Sequence, residues 1–138
     1  GASPQVVHAD NPHLFPGEEH IRQSHCVTLI IPLVDVSEEN GPTEFWPGSQ
    51  VEERFLEIWR AVQTRAVPSA VLAGKRGDAI IFDTRTMHRG LANNADTMRP
   101  VLYLAFARPW YTEGTNNFPA EQLFPNPSLR EESSAYEM

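Results

Sequence analysis

Proline and glycine interrupt this chain so often that its sequence favours short strands over long helices. The 138 residues include 12 prolines and 8 glycines. They leave only short apolar runs between turn signals, which is typical of all-β domains. Seven segments are predicted strands: Gln5–Asp10, His25–Val36, Thr43–Trp46, Val67–Ala73, Asp78–Phe82, Thr86–Leu91 and Arg99–Arg108.

Three segments carry more specific expectations. Apolar residues recur at helical spacing in Val51–Gln63, and Glu52 and Glu53 stand near its start, so this segment is predicted to form one amphipathic helix. Pro32 lies inside the longest predicted strand and implies an edge position or a bulge, because proline cannot donate to a sheet ladder. The continuous apolar run Val101–Ala107 is typical of a strand that is covered on both faces.

Length and composition divide the chain into one domain and a tail. A chain of 138 residues suits a single compact domain. After Trp110 the composition shifts to Thr, Asn, Pro, Glu and Ser, which is typical of irregular segments. We therefore predict a domain over 1–111 and an irregular tail over 112–138.

The charge balance argues against two classes of partner. The formal net charge is −7 and the 11 basic residues are scattered, whereas phosphate binding requires clustered lysine and arginine. This acidity gives no attraction to an anionic membrane surface, and the longest apolar run, Val27–Val34, is too short to span a bilayer. The first residues have no features of a signal peptide. A cytoplasmic location is therefore expected, with no nucleic-acid or membrane partner.

Two residues near the N-terminus have the spacing of metal ligands on a strand. His8 and Asp10 are two positions apart, and side chains at that spacing point to the same face of a strand. An imidazole nitrogen and a carboxylate oxygen can then reach one ion, whose ligands lie about 2.0–2.2 Å away. A His-x-Asp pair also arises by chance, so a second feature is needed.

A second histidine, His88, follows the predicted strand Asp78–Phe82. Two histidines and one carboxylate on three vertices of an ion leave three adjacent positions open, which is the arrangement of non-haem iron(II) oxygenases. Arg99 follows His88 by eleven residues, at the start of the last apolar run. A buried guanidinium requires an anion and suits a carboxylate, which either a bound ligand or an acidic side chain of the protein would supply.

Three stretches resemble the phytanoyl-CoA dioxygenase family of iron(II)- and 2-oxoglutarate-dependent oxygenases. They are Gln5–Asp10, the turn region Glu39–Ser49 with its Asn-Gly-Pro and Pro-Gly-Ser motifs, and Gly77–Trp110. The resemblance implies an all-β double-stranded β-helix, a jelly-roll of the cupin type, with one short helix. It also implies that His8, Asp10 and His88 bind iron(II) and that Arg99 binds the distal carboxylate of 2-oxoglutarate.

The resemblance also implies a reaction and further contacts. A member would hydroxylate a C–H bond of a small-molecule substrate, using O₂ and 2-oxoglutarate and releasing succinate and CO₂. Asn93 matches a family position near the cosubstrate, and Gln5 could line the pocket floor. Tyr103 shares strand parity with Arg99, so it could face the same cavity or be a core residue. The carboxylate of Asp10 favours hydroxylation, because related halogenases have chloride in its place.

The chain also departs from the family pattern. The predicted strands number seven rather than eight, and the long N-terminal region typical of the family has no counterpart. The chain therefore looks N-terminally truncated, or it borrows a strand, and a homodimer could cover an exposed sheet edge. Two other interpretations stay open: a cupin-like metal-binding barrel that is not an oxidase, and a catalytically degenerate barrel used for interaction.

Overall fold

The computed structural model describes residues 1–11, 13–14, 23–51 and 55–111, which contain six strands and one helix. The elements are β1 (Cys26–Pro32), β2 (Thr43–Phe45), α1 (Phe55–Gln63), β3 (Ala70–Leu72), β4 (Ile80–Asp83), β5 (His88–Gly90) and β6 (Val101–Ala107). Each of them overlaps a predicted segment, and most are shorter than predicted. Positions 52–54, near the start of the predicted helix, lie outside the described residues, as does the predicted tail over 112–138. The domain boundary at 111 therefore stays a prediction.

The strands form two antiparallel three-stranded sheets. One sheet has the order β4–β1–β6 and the other has the order β3–β2–β5. The chain crosses between the sheets after β1, β3, β4 and β5, since β1, β4 and β6 belong to the first sheet and β2, β3 and β5 belong to the second. This alternation wraps the two sheets around one interior, as in a double-stranded β-helix. The expected fold class is confirmed.

The N-terminal segment extends the second sheet without forming a regular strand. His8 forms an isolated bridge with His88, and the Gln5 N–H donates to the Gly90 carbonyl at 2.9 Å. Gln5 and His8 are three residues apart, whereas their partners Gly90 and His88 are two residues apart. One extra residue in the N-terminal segment therefore interrupts the ladder. The predicted strand Gln5–Asp10 is therefore an extended segment that runs along β5.

The interior between the sheets holds the main apolar cluster. Ile30, Phe45 and Phe82 are buried there, each from a different strand. A second cluster, which includes Val62 of α1 and Met87, holds the helix against the ends of β2 and β5. The helix is thus attached by its apolar side, as expected of an amphipathic segment. Among the described residues, no helix has the length and apolar character needed to cross a membrane.

Two predictions about individual strands are wrong. β1 is the central strand of its sheet and not an edge strand, since it pairs with both β4 and β6. Pro32 is tolerated because it is the last residue of β1. The pairing with β4 has ended before this position, and only Val101 of β6 lies opposite it. β6 is not covered on both faces, because Leu102, Tyr103 and Phe106 are 43%, 52% and 56% exposed. It lies at the edge of its sheet, and none of the described strands pairs with its outer side.

Candidate metal centre

The sheet ladder places two imidazoles side by side. His8 and His88 face each other across the N-terminal segment and β5, and they exchange both backbone hydrogen bonds at 3.0 and 2.8 Å. Side chains of directly opposed residues point to the same face of a sheet. The two ring centroids are 4.4 Å apart. The histidines that lie far apart in the sequence are therefore direct neighbours.

Asp10 completes the cluster. Its backbone N–H donates to the Thr84 carbonyl at 2.9 Å, which fixes the segment just beyond His8. Its Oδ1 lies 3.7 Å from Nε2 of His8 and 3.6 Å from Nε2 of His88, and one ligand atom from each of the three residues lies within 4.8 Å of the others. Two ligands about 2.0–2.2 Å from one ion are at most roughly 4.4 Å apart. Small side-chain movements therefore suffice for all three to bind one ion.

Each histidine is oriented by a backbone carbonyl two residues before it. Nδ1 of His8 lies 2.9 Å from the Val6 carbonyl oxygen, and Nδ1 of His88 lies 3.0 Å from the Thr86 carbonyl oxygen. A carbonyl only accepts, so in each neutral ring Nδ1 carries the proton and donates it. The two Nε2 atoms, which face Asp10, keep their lone pairs for a metal.

The surroundings of His88 favour the neutral ring that a metal ligand requires. Its side chain is buried, and the rings of Phe45 and Phe82 lie 5.5 and 5.0 Å from it, centroid to centroid. Burial is the largest influence and lowers the pKa of His88; the Thr86 carbonyl and Asp10 raise it, and the other imidazole lowers it. The result is a pKa below the ordinary value of 6.5, and a deprotonated Nε2 is the form that binds metals.

The cluster is accessible from one side. The side chain of His88 is 4% exposed, whereas those of Asp10 and His8 are 25% and 35% exposed. A cation bound here would keep positions that face away from the three side chains, where a small ligand can bind. In the part of the chain that the structure describes, no other group of three histidine, cysteine or acidic side chains converges in this way.

The Asn-Gly-Pro turn positions Arg99. The Asn40 carbonyl accepts a hydrogen bond from Nε of Arg99 at 3.1 Å. The Asn40 side chain fixes the turn itself, since its Oδ1 accepts from the Ser37 N–H at 2.8 Å. Gly41 has a φ of 83°, and a Cβ at this position would lie 2.7 Å from the Leu91 carbonyl oxygen. Glycine is therefore required here on two grounds.

Ser49 of the Pro-Gly-Ser turn supports the strand that carries His88. Its hydroxyl accepts a hydrogen bond from the buried Met87 N–H at 2.7 Å. The Trp46 N–H donates to the Met87 carbonyl at 3.0 Å. Both contacts fix the backbone immediately before His88, so the two halves of the turn region hold two different parts of the site.

Arg99 lines a cavity between the two sheets. The cavity has a volume of about 290 Å³ and mainly apolar walls, which include Ile30, Leu72 and Val101. Within the described residues, Arg99 forms no ion pair with a carboxylate, and its hydrogen bond to the Asn40 carbonyl uses only Nε. The structure therefore does not supply the internal salt bridge that was the alternative, and the guanidinium can bind an anion in the cavity.

Tyr103 stands on the interior face of β6. Its register partner on β1 is the buried Ile30, and cross-strand partners point to the same face. Burial is the largest influence and raises the pKa of Tyr103, Asp10 raises it further, and Arg99 lowers it. The phenol is therefore within electrostatic reach of Asp10 and of the cavity-lining Arg99, and it remains half-exposed.

The side-chain amides of Asn93 and Gln5 form hydrogen bonds with backbone groups. Asn93 donates from Nδ2 to the Thr97 carbonyl at 2.9 Å, and its Oδ1 accepts from the Ala95 N–H at 3.0 Å. Gln5 Oε1 accepts from the Gly90 N–H at 2.8 Å. These contacts shape the connection from β5 to β6 and attach the N-terminal segment to β5. A role of either residue toward a cosubstrate stays a prediction.

Sequence reasoning missed a buried contact directly beside the cluster. Asn11 is 2% exposed, and its Nδ2 donates to the Tyr111 hydroxyl at 2.6 Å. It connects the residue after Asp10 to the segment that follows β6. The sequence signal was present but ambiguous, because Asn11-Pro12 is an ordinary turn signal.

Fold and site together define a class of protein: a double-stranded β-helix that holds two histidines and one carboxylate around a common point. Residues 1–101 match the phytanoyl-CoA dioxygenase (PhyH) family. Because this match covers well over half of the chain, the chain belongs to that family.

Solved structures share the fold. The carbocyclase SnoK from nogalamycin biosynthesis, a non-haem α-ketoglutarate-dependent enzyme, is 24% identical with a TM-score of 0.60, over 76% of this chain and 44% of SnoK. The epimerase SnoN from the same biosynthesis, also non-haem and α-ketoglutarate-dependent, is 28% identical with a TM-score of 0.54, over 90% of this chain and 49% of SnoN. EctD from S. alaskensis, solved with 2-oxoglutarate and 5-hydroxyectoine, is 22% identical with a TM-score of 0.55, over 76% of this chain and 38% of EctD. This chain thus spans less than half the length of each of these proteins.

Proposed function

We propose that this chain carries the active site of an iron(II)- and 2-oxoglutarate-dependent dioxygenase. The observation that carries the proposal is the convergence of His8, Asp10 and His88, whose ligand atoms lie within 4.8 Å of one another. Two neutral imidazoles and one carboxylate are the ligand set of non-haem iron(II) oxygenases. Membership of the phytanoyl-CoA dioxygenase family and the structure of EctD with bound iron add support.

The protein's own residues would hold and orient the metal. His8 and His88 would bind it through Nε2, because the carbonyls two residues before them occupy Nδ1. Asp10 would contribute the single negative charge. With both bound, iron(II) and 2-oxoglutarate supply the oxidising chemistry by which O₂ converts C–H to C–OH while 2-oxoglutarate becomes succinate and CO₂.

Arg99 would bind the distal carboxylate of 2-oxoglutarate. Arg99 lines the cavity, and its guanidinium has no acidic partner among the described residues. A planar guanidinium can bind a carboxylate through two parallel hydrogen bonds. We propose three lesser contacts of the cosubstrate pocket: Tyr103, Asn93 and Gln5. Tyr103 is the best placed of the three, because the charges of both Asp10 and Arg99 influence its pKa.

Hydroxylation of a small molecule is the proposed outcome. The carboxylate of Asp10 occupies the position that would otherwise be available to a halide, so halogenation is disfavoured. SnoK is named as a carbocyclase and SnoN as an epimerase, so related chains direct similar chemistry to different products. The residues near the cluster do not identify the substrate beyond a small molecule.

Succinate formation tests the proposal. The chain is supplied with iron(II), 2-oxoglutarate and air, first alone and then with a panel of small molecules, and succinate is measured by mass spectrometry. We expect slow succinate release without substrate, faster release with a suitable substrate, and loss of both in Asp10→Asn. The matched control is Asp96→Asn, which changes an exposed carboxylate outside the site and should leave the rate unchanged.

Three outcomes would overturn the proposal. Folded protein that binds iron(II) but not 2-oxoglutarate would be a metal-binding barrel without oxygenase activity. Folded protein that binds both but forms no succinate above the background of free iron would be a degenerate barrel. An unchanged rate in Asp10→Asn would show that the cluster is not the site of the reaction.

A further inference from the structure

We infer that Tyr111 is a positioning residue for Asp10, the carboxylate ligand of the candidate metal centre, and that it acts through Asn11. The inference rests on the proposed function and deepens it, because it assigns a residue that determines how well the three ligands hold the metal. Tyr111 lies beyond the end of β6, 100 positions after Asn11.

Within the described residues, the Asp10 carboxylate is the one ligand group of the centre that no hydrogen bond orients. Each imidazole, by contrast, is held at its Nδ1 by a backbone carbonyl. The side chain of aspartate is short, so a displacement of its backbone moves the carboxylate with it. The position of this ligand therefore depends on what holds the backbone at Asp10.

The two backbone hydrogen bonds at Asp10 and Asn11 end on one atom. Both N–H groups donate to the Thr84 carbonyl oxygen, at 2.9 and 3.2 Å, and Thr84 directly follows β4. Two hydrogen bonds that share one oxygen fix a distance but still permit rotation about it, because the angles at a carbonyl acceptor vary broadly. An attachment to another element is needed to fix the direction in which Asp10 points.

The side chain of Asn11 supplies that attachment. Its Nδ2 donates to the Tyr111 hydroxyl at 2.6 Å, and Asn11 is only 2% exposed, which strengthens the bond. Tyr111 is itself fixed, since its N–H donates to the Arg108 carbonyl at 2.8 Å and its ring lies 4.5 Å from that of His25. The Arg108 N–H donates in turn to the His25 carbonyl at 2.9 Å. Asp10 is thus held from two sides, by the segment after β4 and by the segment after β6.

Cobalt(II) titration of the metal-free chain tests this role. Cobalt(II) accepts the same nitrogen and oxygen ligands as iron(II), and its visible ligand-field bands report both affinity and ligand geometry. Tyr111→Phe removes the hydroxyl but keeps the ring against His25. Asn11→Ala and the double variant Asn11→Ala with Tyr111→Phe complete a double-mutant cycle. The matched control is Trp110→Phe, which changes the neighbouring ring and keeps the hydrogen bond of Tyr111. Thermal unfolding of each metal-free variant verifies the fold.

We expect Tyr111→Phe to weaken cobalt(II) binding about tenfold, the lower end of the range for groups that orient metal ligands, and to shift the ligand-field bands. Asn11→Ala should weaken binding at least as much, because it removes the same hydrogen bond. Tyr111→Phe should have no further effect in the Asn11→Ala background, and Trp110→Phe should bind cobalt(II) as the wild type does.

Unchanged cobalt(II) affinity and bands in folded Tyr111→Phe would overturn the inference. An equal loss of affinity in the Asn11→Ala background or in Trp110→Phe would overturn it as well, because Tyr111 would then not act through Asn11. A wild-type chain that forms no cobalt(II) bands, or a His8→Ala variant that forms the same bands, would defeat the metal centre and the proposed function with it. That failure is distinct, because it is seen without any change at Tyr111.

Discussion

Two residues of the turn region, Asn40 and Ser49, hold parts of the candidate site in position. Asn40 binds Arg99 through its carbonyl, and Ser49 binds the backbone directly before His88. Neither contact involves the side chain of a metal ligand, yet each fixes the position of a residue of the site. The Asn-Gly-Pro and Pro-Gly-Ser motifs therefore have an identifiable physical role.

Removal of the Ser49 hydroxyl should destabilise the fold. Ser49→Ala leaves the buried Met87 N–H without an acceptor, and an unpaired buried amide costs about 1–3 kcal/mol. Urea unfolding followed by circular dichroism measures the change in the free energy of unfolding. The control is Ser37→Ala at an exposed position, which should change this free energy by less than about 0.5 kcal/mol. Equal effects of the two substitutions would contradict a stabilising role of the Ser49 hydroxyl.

At the scale of elements, a partly buried ion pair fixes the turn from β4 to β5. Arg85 donates to Asp83 from Nε at 2.9 Å and from Nη2 at 2.6 Å, and its N–H donates to the same carboxylate at 2.9 Å. Burial alone would raise the pKa of Asp83, but the hydrogen bonds from Arg85 outweigh it and hold the pKa below its ordinary value of 3.8. The turn leads directly to Met87 and His88.

This pair makes stability depend on pH in the acid range. Because the pKa of Asp83 is lower in the folded than in the unfolded chain, its contribution is complete above the ordinary value of 3.8 and is lost as the pH falls through the folded pKa. The free energy of unfolding, measured in urea between neutral pH and the acid range, should fall more steeply below that value in the wild type than in Asp83→Asn. The exposed Asp96→Asn should keep the wild-type profile, and identical profiles for all three proteins would contradict the role of the pair.

At the scale of the whole molecule, the first sheet has an apolar face that none of the described residues covers. Ile81 is 69% exposed and pairs in register with Leu29, which also pairs with Leu104. Phe106 stands on the same face at 56% exposure. Apolar surface of this kind, at a sheet edge without charged or proline residues, favours association. The homodimer expected from the sequence stays a prediction, and this face is where we place it.

Charged side chains introduced on β6 should therefore reduce self-association. The chain should have a solution mass above the monomer mass of 15.5 kDa in light scattering at micromolar concentration. The double variant Leu104→Lys with Phe106→Lys should return it to the monomer. Met98→Lys changes a residue that is 88% exposed and outside the strands, so it should behave as the wild type. A wild-type chain that is monomeric at every concentration would contradict this prediction.

The sequence predicted an all-β fold and the same-face placement of His8 and Asp10, because both depend on local patterns. The two-residue spacing of His8 and Asp10 puts their side chains on one face wherever the backbone is extended. The sequence could not predict that His8 lies opposite His88, because pairing between distant segments depends on register rather than on local pattern. The same limit explains the error at β1. Pro32 indicated an edge strand or a bulge because the sequence does not show where a strand ends.

The sequence also could not predict that β6 is exposed. An apolar run indicates that a strand prefers to be covered, but it does not identify what covers it.

An anaerobic titration of the chain with iron(II) and 2-oxoglutarate, followed by visible absorption, tests most directly whether His8, Asp10 and His88 form one iron site. We expect a metal-to-ligand charge-transfer band in the wild type, its loss in His8→Ala, and its weakening in Arg99→Ala. Folded wild-type protein that forms no band, or a His8→Ala variant that forms the same band, would contradict the claim that these side chains bind one iron and leave room for the 2-oxo acid.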